Sequence, residues 1–151
     1  MSDLKNRLTD EMKEAMKSGD SLKLSVIRML RSSIKNKEID RGKGTSLGDT
    51  EVTEVIVSSI KQRNDAIEQF TLGKRDDLVA KEKKEIEILQ TYLPKPYTDN
   101  EVKALILKAI SEVGAVGIKD MGKVMKALMP QILGRADGAA TSQRVKELLG
   151  S

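Results

Sequence analysis

The sequence contains no cysteine, no histidine and no tryptophan in 151 residues. Without cysteine there is neither a disulfide framework nor a thiolate nucleophile. Without histidine there is no Ser-His-Asp triad, no imidazole base and no ordinary zinc site. Chemistry would fall to Asp, Glu, Lys, Ser, Thr or Tyr, which removes most enzyme templates. The aromatic residues are Phe70, Tyr92 and Tyr97, too few for the stacking sheet that holds single-stranded bases. No run reaches the roughly 20 apolar residues of a transmembrane helix, and the polar opening Met1-Ser2-Asp3-Leu4-Lys5 lacks the apolar core of a signal peptide. A chain without cysteine also fits a reducing compartment. The expectation is a soluble, cytoplasmic protein without a membrane partner.

What is present suits folded structure. Hydrophobic residues make up 38% and charged residues 33%, too apolar for a disordered tail and too evenly charged for a membrane protein. The net charge of +4 is unevenly distributed. Residues 22–43 carry 7 basic against 2 acidic side chains and residues 94–151 carry 9 against 6, whereas residues 44–93 carry 7 against 10. Two basic segments are the pattern expected of two surfaces facing an anionic partner, although solvated helix faces also fluctuate in this way.

Apolar spacing reads as helix from end to end. Leu4, Leu8, Met12 and Met16 recur at four-residue steps behind the capping candidates Ser2 and Asp3, and Gly19-Asp20 closes that helix. A second helix from Ser21 buries Ile27, Leu30 and Ile34 and frays near Arg41-Gly42. The loop Gly42 to Gly48 contains Gly-Lys-Gly but meets neither the P-loop nor the dinucleotide spacing. Thr50 is the candidate cap of a third helix with Val52, Ile56, Ile60, Ile67 and Phe70 inward, and Gly73 is the candidate left-handed terminus. A fourth helix starts at Asp76 and Asp77, where carboxylates suit the positive end of the dipole, and carries Val79, Ile86, Leu89 and Leu93. Pro94-Lys95-Pro96 ends it.

Beyond the prolines, Thr98-Asp99-Asn100-Glu101 is a capping box. Its helix carries Val102, Leu105, Ile106, Ala109, Ile110 and Val113 and ends at Gly114. A short helix with Met121, Val124, Met125 and Leu128 runs to Pro130. A last one, capped by Thr141 or Ser142, buries Val145, Leu148 and Leu149. The chain is therefore expected to be all-α and multihelical, with a four-helix lobe over 1–93 and a three-helix lobe over 97–151.

Two sets of basic residues stand out. Arg28, Arg31 and Lys35 share a face of the second helix, beside its apolar stripe. Lys119, Lys123 and Lys126 repeat the spacing near the C-terminal loop Gly134-Arg135-Ala136-Asp137-Gly138, where Gly134 and Gly138 allow outward amides and Arg135 offers a planar fork suited to phosphate. Gly122 is unusual inside a helix, and either helix packing or a ligand approaching the backbone would account for it. Glu82, Glu85 and Glu87, interleaved with Lys81, Lys83 and Lys84, read as a solvated, ion-paired face. No carboxylate spacing suggests a metal site or an acid-base pair.

The segment Met121 to Pro130, the loop Gly134 to Gly138 and Val145-Lys146-Glu147-Leu148-Leu149 resemble the GatB/YqeY family. Leu24 to Leu30, Lys61-Gln62-Arg63 and Glu85 to Pro94 are similar to its free-standing YqeY-like members, so the resemblance covers nearly the whole chain. The family also forms the C-terminal tail of the B subunit of aminoacyl-tRNA amidotransferase, and a similar module precedes some glutaminyl-tRNA synthetases. The resemblance implies a four-plus-three helical architecture and a non-catalytic role in holding tRNA or another RNA, with no cofactor and no catalytic residue. Lys119, Lys123, Lys126 and Arg135 are then the first-choice phosphate contacts, and Arg28, Arg31 and Lys35 the second. The alternative is an adaptor that docks on an amidotransferase or an aminoacyl-tRNA synthetase; a part in carbon-nitrogen ligase activity ranks third.

Overall fold

A computed structural model of the chain describes residues 3–150. The capping candidate Ser2 lies outside them. The described residues form seven α-helices and one short 3-10 turn, with no strand among them. They fall into two compact units that part between Leu93 and Pro94.

The first unit comprises α1 (Asp3–Ser18), α2 (Ser21–Arg41), α3 (Asp49–Leu72) and α4 (Asp76–Gln90). In α1 the inward line is Leu4, Leu8 and Met12, but Ala15 and not Met16 continues it. Steps of four residues drift about 40° each around a helix of 3.6 residues per turn. By Met16 the line has therefore turned towards water, and that side chain is 54% exposed. Asp20 caps α2 by accepting a hydrogen bond from the Lys23 amide at 3.1 Å. α2 then buries Val26, Ile27, Leu30 and Ile34 against Val52, Val55 and Ile56 of α3 and Leu89 of α4.

Other local expectations in this unit are corrected too: α4, expected to carry Leu93 up to the prolines, already ends at Gln90. α3 is preceded by Gly48 in the capping position, without a side-chain bond, so Thr50 lies inside the first turn. The left-handed residue after α3 is Lys74 (φ 55°), while Gly73 has φ −83° and still donates to the Gln69 carbonyl. The helical bonding thus persists one residue further than the glycine suggested. Glu85 is not on a solvated face: it is buried, 3.2 Å from Arg63 Nη1 of α3, with Glu82 3.6 Å from the same nitrogen. That pairing spans two helices, which spacing within one helix does not reveal.

The second unit comprises α5 (Asp99–Val113), the 3-10 turn Ile118–Asp120, α6 (Met121–Ile132) and α7 (Gly138–Leu148). The capping box is present: Glu101 N donates to Thr98 Oγ1 and Thr98 N to Glu101 Oε1. Gly114 closes α5 at φ 66°, a conformation in which a Cβ would be strained. Val102, Ile106, Ala109, Val124, Leu128 and Val145 form the core.

α6 does not stop at Pro130. It continues to Ile132, which is fully buried, so packing there offsets the donor that proline lacks. α7 starts earlier than expected, capped by Asp137, whose carboxylate accepts from Ala140 N at 2.8 Å. Thr141, expected as a cap, is instead buried and donates to the Asp137 carbonyl. Leu148 is exposed and Leu149 only partly buried, as both lie at the C-terminal end of α7. A Cβ on Gly122 would meet nothing within 4 Å, so close helix packing does not explain that glycine.

Candidate nucleic-acid interface

α1 and α2 pack antiparallel through Leu8, Ile27, Leu30 and Ile34, and the flanking polar residues of both helices leave an open groove of about 650 Å³. Arg28, Arg31 and Lys35 line its α2 wall, joined by Ser32, because residues three and four apart share a helix face. The α1 wall carries Lys5 and Asn6, with Leu8 and Met12 bringing apolar surface to the groove. Arg31 Nη1 lies 2.9 Å from Met12 Sδ. Arg28 is exposed and makes no ion pair among the described residues.

The acidic residue lining this groove is Glu38, and its charge is already engaged. Lys5 Nζ donates to Glu38 Oε2 at 2.6 Å and the Leu47 amide donates to the same oxygen at 2.8 Å. The Lys5 hydrogen bond, then the Leu47 amide, hold the Glu38 carboxyl below the usual carboxylate range, and Lys35 adds a smaller attraction. Lys5 also donates to Ser46 Oγ at 3.0 Å, which ties the loop before α3 to α1. The sequence reading missed Lys5 and Asn6. Their position beside Leu8 and Met12 on the inward side of α1 was the available signal.

In the second unit, Lys119, Lys123 and Lys126 are exposed around the start of α6. Lys123 has a long pairing, 3.9 Å, with Asp120, and Lys126 has no ion pair among the described residues. The Asp120 carboxyl is held below its ordinary range, first by the Val116 amide that donates to it at 3.0 Å and then, against the effect of burial, by the lysines.

Arg135 is placed differently from its expected role. Its Nε donates to the Lys95 carbonyl at 2.9 Å, its Nη1 donates to Tyr97 Oη at 2.9 Å, and its guanidinium stacks 3.8 Å from the Tyr97 ring centroid. The Tyr97 amide in turn donates to the Arg135 carbonyl. The fork is therefore largely used in fastening the proline-containing segment to the α6–α7 loop. Gly134, at φ 74°, turns the chain there, and Gly138 is the first residue of α7.

The Yqey-like protein family model matches residues 5–149, from within α1 to just past α7. The chain belongs to the Yqey-like protein family. Among curated relatives of this Yqey-like chain, the "Altered inheritance of mitochondria protein 41, mitochondrial" of Saccharomyces cerevisiae is 38% identical over 126 residues, covering 78% of this chain and 68% of the yeast protein. The protein of that name from Candida glabrata is 41% identical over 57% of this chain and 47% of its own length, and that from Kluyveromyces lactis 44% identical over 56% and 45%. The chain thus spans about half the length of the Candida and Kluyveromyces proteins.

These relatives overturn the cytoplasmic expectation, since each is mitochondrial by name. The physical reason is that a folded domain's composition does not encode an address; transport machinery reads separate targeting segments. No described helix is long and apolar enough to cross a membrane.

Proposed function

We propose that this Yqey-like protein is a non-catalytic RNA-binding module, with tRNA the leading partner. The observation that carries the reading is the row Lys119, Lys123 and Lys126, exposed around the start of α6, where Asp120 is the one acid among the described residues that attracts Lys119 and Lys123, and Lys126 has no ion pair. An excess of exposed cations on one surface is the footprint of a phosphate-binding face. The resemblance to the tail of the amidotransferase B subunit supports tRNA as the partner, and amidotransfer itself is assigned to domains outside this chain. Because Arg135 is tied to Lys95 and Tyr97, its part is to position the loop.

The test is filter binding of total tRNA at two salt concentrations. Replacing Lys119, Lys123 and Lys126 with Gln should leave the thermal melt intact and reduce the log-log salt slope by about 0.7 to 0.9 per lost contact. An unchanged slope excludes this row. Exposed Leu107, Val116, Ile118 and Met129 in the same unit favour the second reading, an adaptor for an amidotransferase or synthetase, whose affinity would rest on apolar anchors and respond little to salt.

A further inference from the structure

We propose that the groove between α1 and α2 is a phosphodiester-binding site that grips the backbone of an RNA strand and leaves its bases unread. This rests on the RNA-binding reading and deepens it, because it assigns a site to the first unit and states what that site recognises.

Charge is the first argument. Lys5, Arg28, Arg31 and Lys35 line the groove against Glu38, and the Glu38 carboxylate already accepts from Lys5 and from the Leu47 amide. The remaining positive charge belongs to Arg28, Arg31 and Lys35. Their attraction for an anion is strengthened by a concave wall, which focuses the field of clustered charges.

Donor chemistry is the second. The guanidinium fork matches the oxygens of a phosphate, whereas Lys35 adds a point charge. Arg31 reaches Met12 Sδ at the groove, and because a thioether sulfur is only a weak acceptor the guanidinium remains available to a phosphate. Asn6 and Ser32 add neutral side-chain donors on opposite walls, and amide and hydroxyl donors are regular partners of phosphate oxygens. From Arg28 to Lys35 the wall rises through seven residue steps, about 10 Å of helix at 1.5 Å per step, which is more than a single phosphate occupies.

The groove also lacks an aromatic wall: none of its lining residues is aromatic. Tyr92 is buried in the core, and Tyr97 belongs to the other unit, where it stacks with Arg135. Bases therefore have no aromatic platform in this groove, and any stacking on the Arg28 or Arg31 guanidinium would be open to every base, so binding should be indifferent to sequence.

The experiment uses the full-length protein, labelled with nitrogen-15 and titrated with two oligoribonucleotides, an oligouridylate and a mixed sequence of equal length. The expected result is a set of amide shifts along Lys5 to Met12 and Arg28 to Glu38 with both RNAs, at affinities within about twofold of each other. The variant R28Q/K35Q changes two exposed residues; its melt should match the wild type and its salt slope should fall by about 1.4, two lost contacts at about 0.7 each. Shifts confined to α5, α6 and α7 overturn the groove assignment and leave RNA binding standing. No shift anywhere at low salt overturns the RNA reading and this inference with it. Poly-glutamate of equal charge producing the same shifts at the same concentration overturns the phosphate assignment in favour of an acidic protein segment.

Discussion

Glu38 shows how one side chain joins stability to the groove. It is buried near the end of α2, accepts from Lys5 and from Leu47 N, and so connects α1 to the loop that precedes α3. Its carboxyl lies below the ordinary 4.5 in the folded protein. A depressed carboxylate contributes stability that is complete above the unfolded value and is lost as pH falls through the lower folded value. Glu11 adds in the same direction: burial alone would raise its carboxyl, but the hydrogen bonds from Lys23 and Arg7 outweigh that. The first unit should therefore melt at lower temperature as pH drops through the acid range. Glu38→Gln should be less stable than wild type at neutral pH but lose less on acidification, so the two melting curves converge; parallel curves would remove Glu38 from the account. Such a residue was hidden in the sequence, where Glu38 is one acid in a basic segment. Its backbone partner, the Leu47 amide, lies nine residues on, beyond the reach of helical periodicity.

At the scale of the helix, the elements legible in the sequence were those whose signals are local. The capping box at Thr98 and Glu101, the apolar stripe of α5 and its end at Gly114 all depend on neighbours within one turn, and all stand as read. The ends of α6 and α7 depend on distant packing. Pro130 marks a stop only if nothing beyond it is worth burying, and Ile132 is. Thr141 looks like a cap until Asp137 takes that place and the threonine turns inward. Gly122 separates the two kinds of reason. No neighbour lies within 4 Å of where its Cβ would be, and its φ is not in the left-handed range. Gly122→Ala should thus stabilise the second unit by up to about 1 kcal/mol, since alanine gains helix propensity without a clash. Chemical denaturation checks this, and a loss of stability would mean that the start of α6 is more crowded than it stands here. If RNA affinity falls while stability rises, the missing Cβ serves a ligand that approaches the backbone.

For the molecule as a whole, the two units part between Leu93 and Pro94, and a buried ion cluster inside the first unit was not legible in the sequence. Arg63 sits between α3 and α4 with its side chain 10% exposed, facing Glu85 at 6% and Glu82 at 18%. Its segment entered the sequence reading only through family likeness, while the glutamates read as surface, because nothing local tells which charges a fold will bring together. Taking one partner from a buried ion pair leaves the other charge uncompensated and costs about 3–5 kcal/mol. Arg63→Met should impose that cost on the first unit, where Glu82 and Glu85 would then repel each other without a cation between them. The two units have separate cores, so the loss should be confined. Hydrogen exchange on the full chain is the decisive measurement: amides of α2, α3 and α4 should exchange faster in the variant, while those of α5, α6 and α7 keep their wild-type rates. Equal acceleration in both sets would mean that the units unfold as one cooperative block. The same partition matters for binding, because only units that fold independently let a variant in the α1–α2 groove be compared with one on α6 without either disturbing the other.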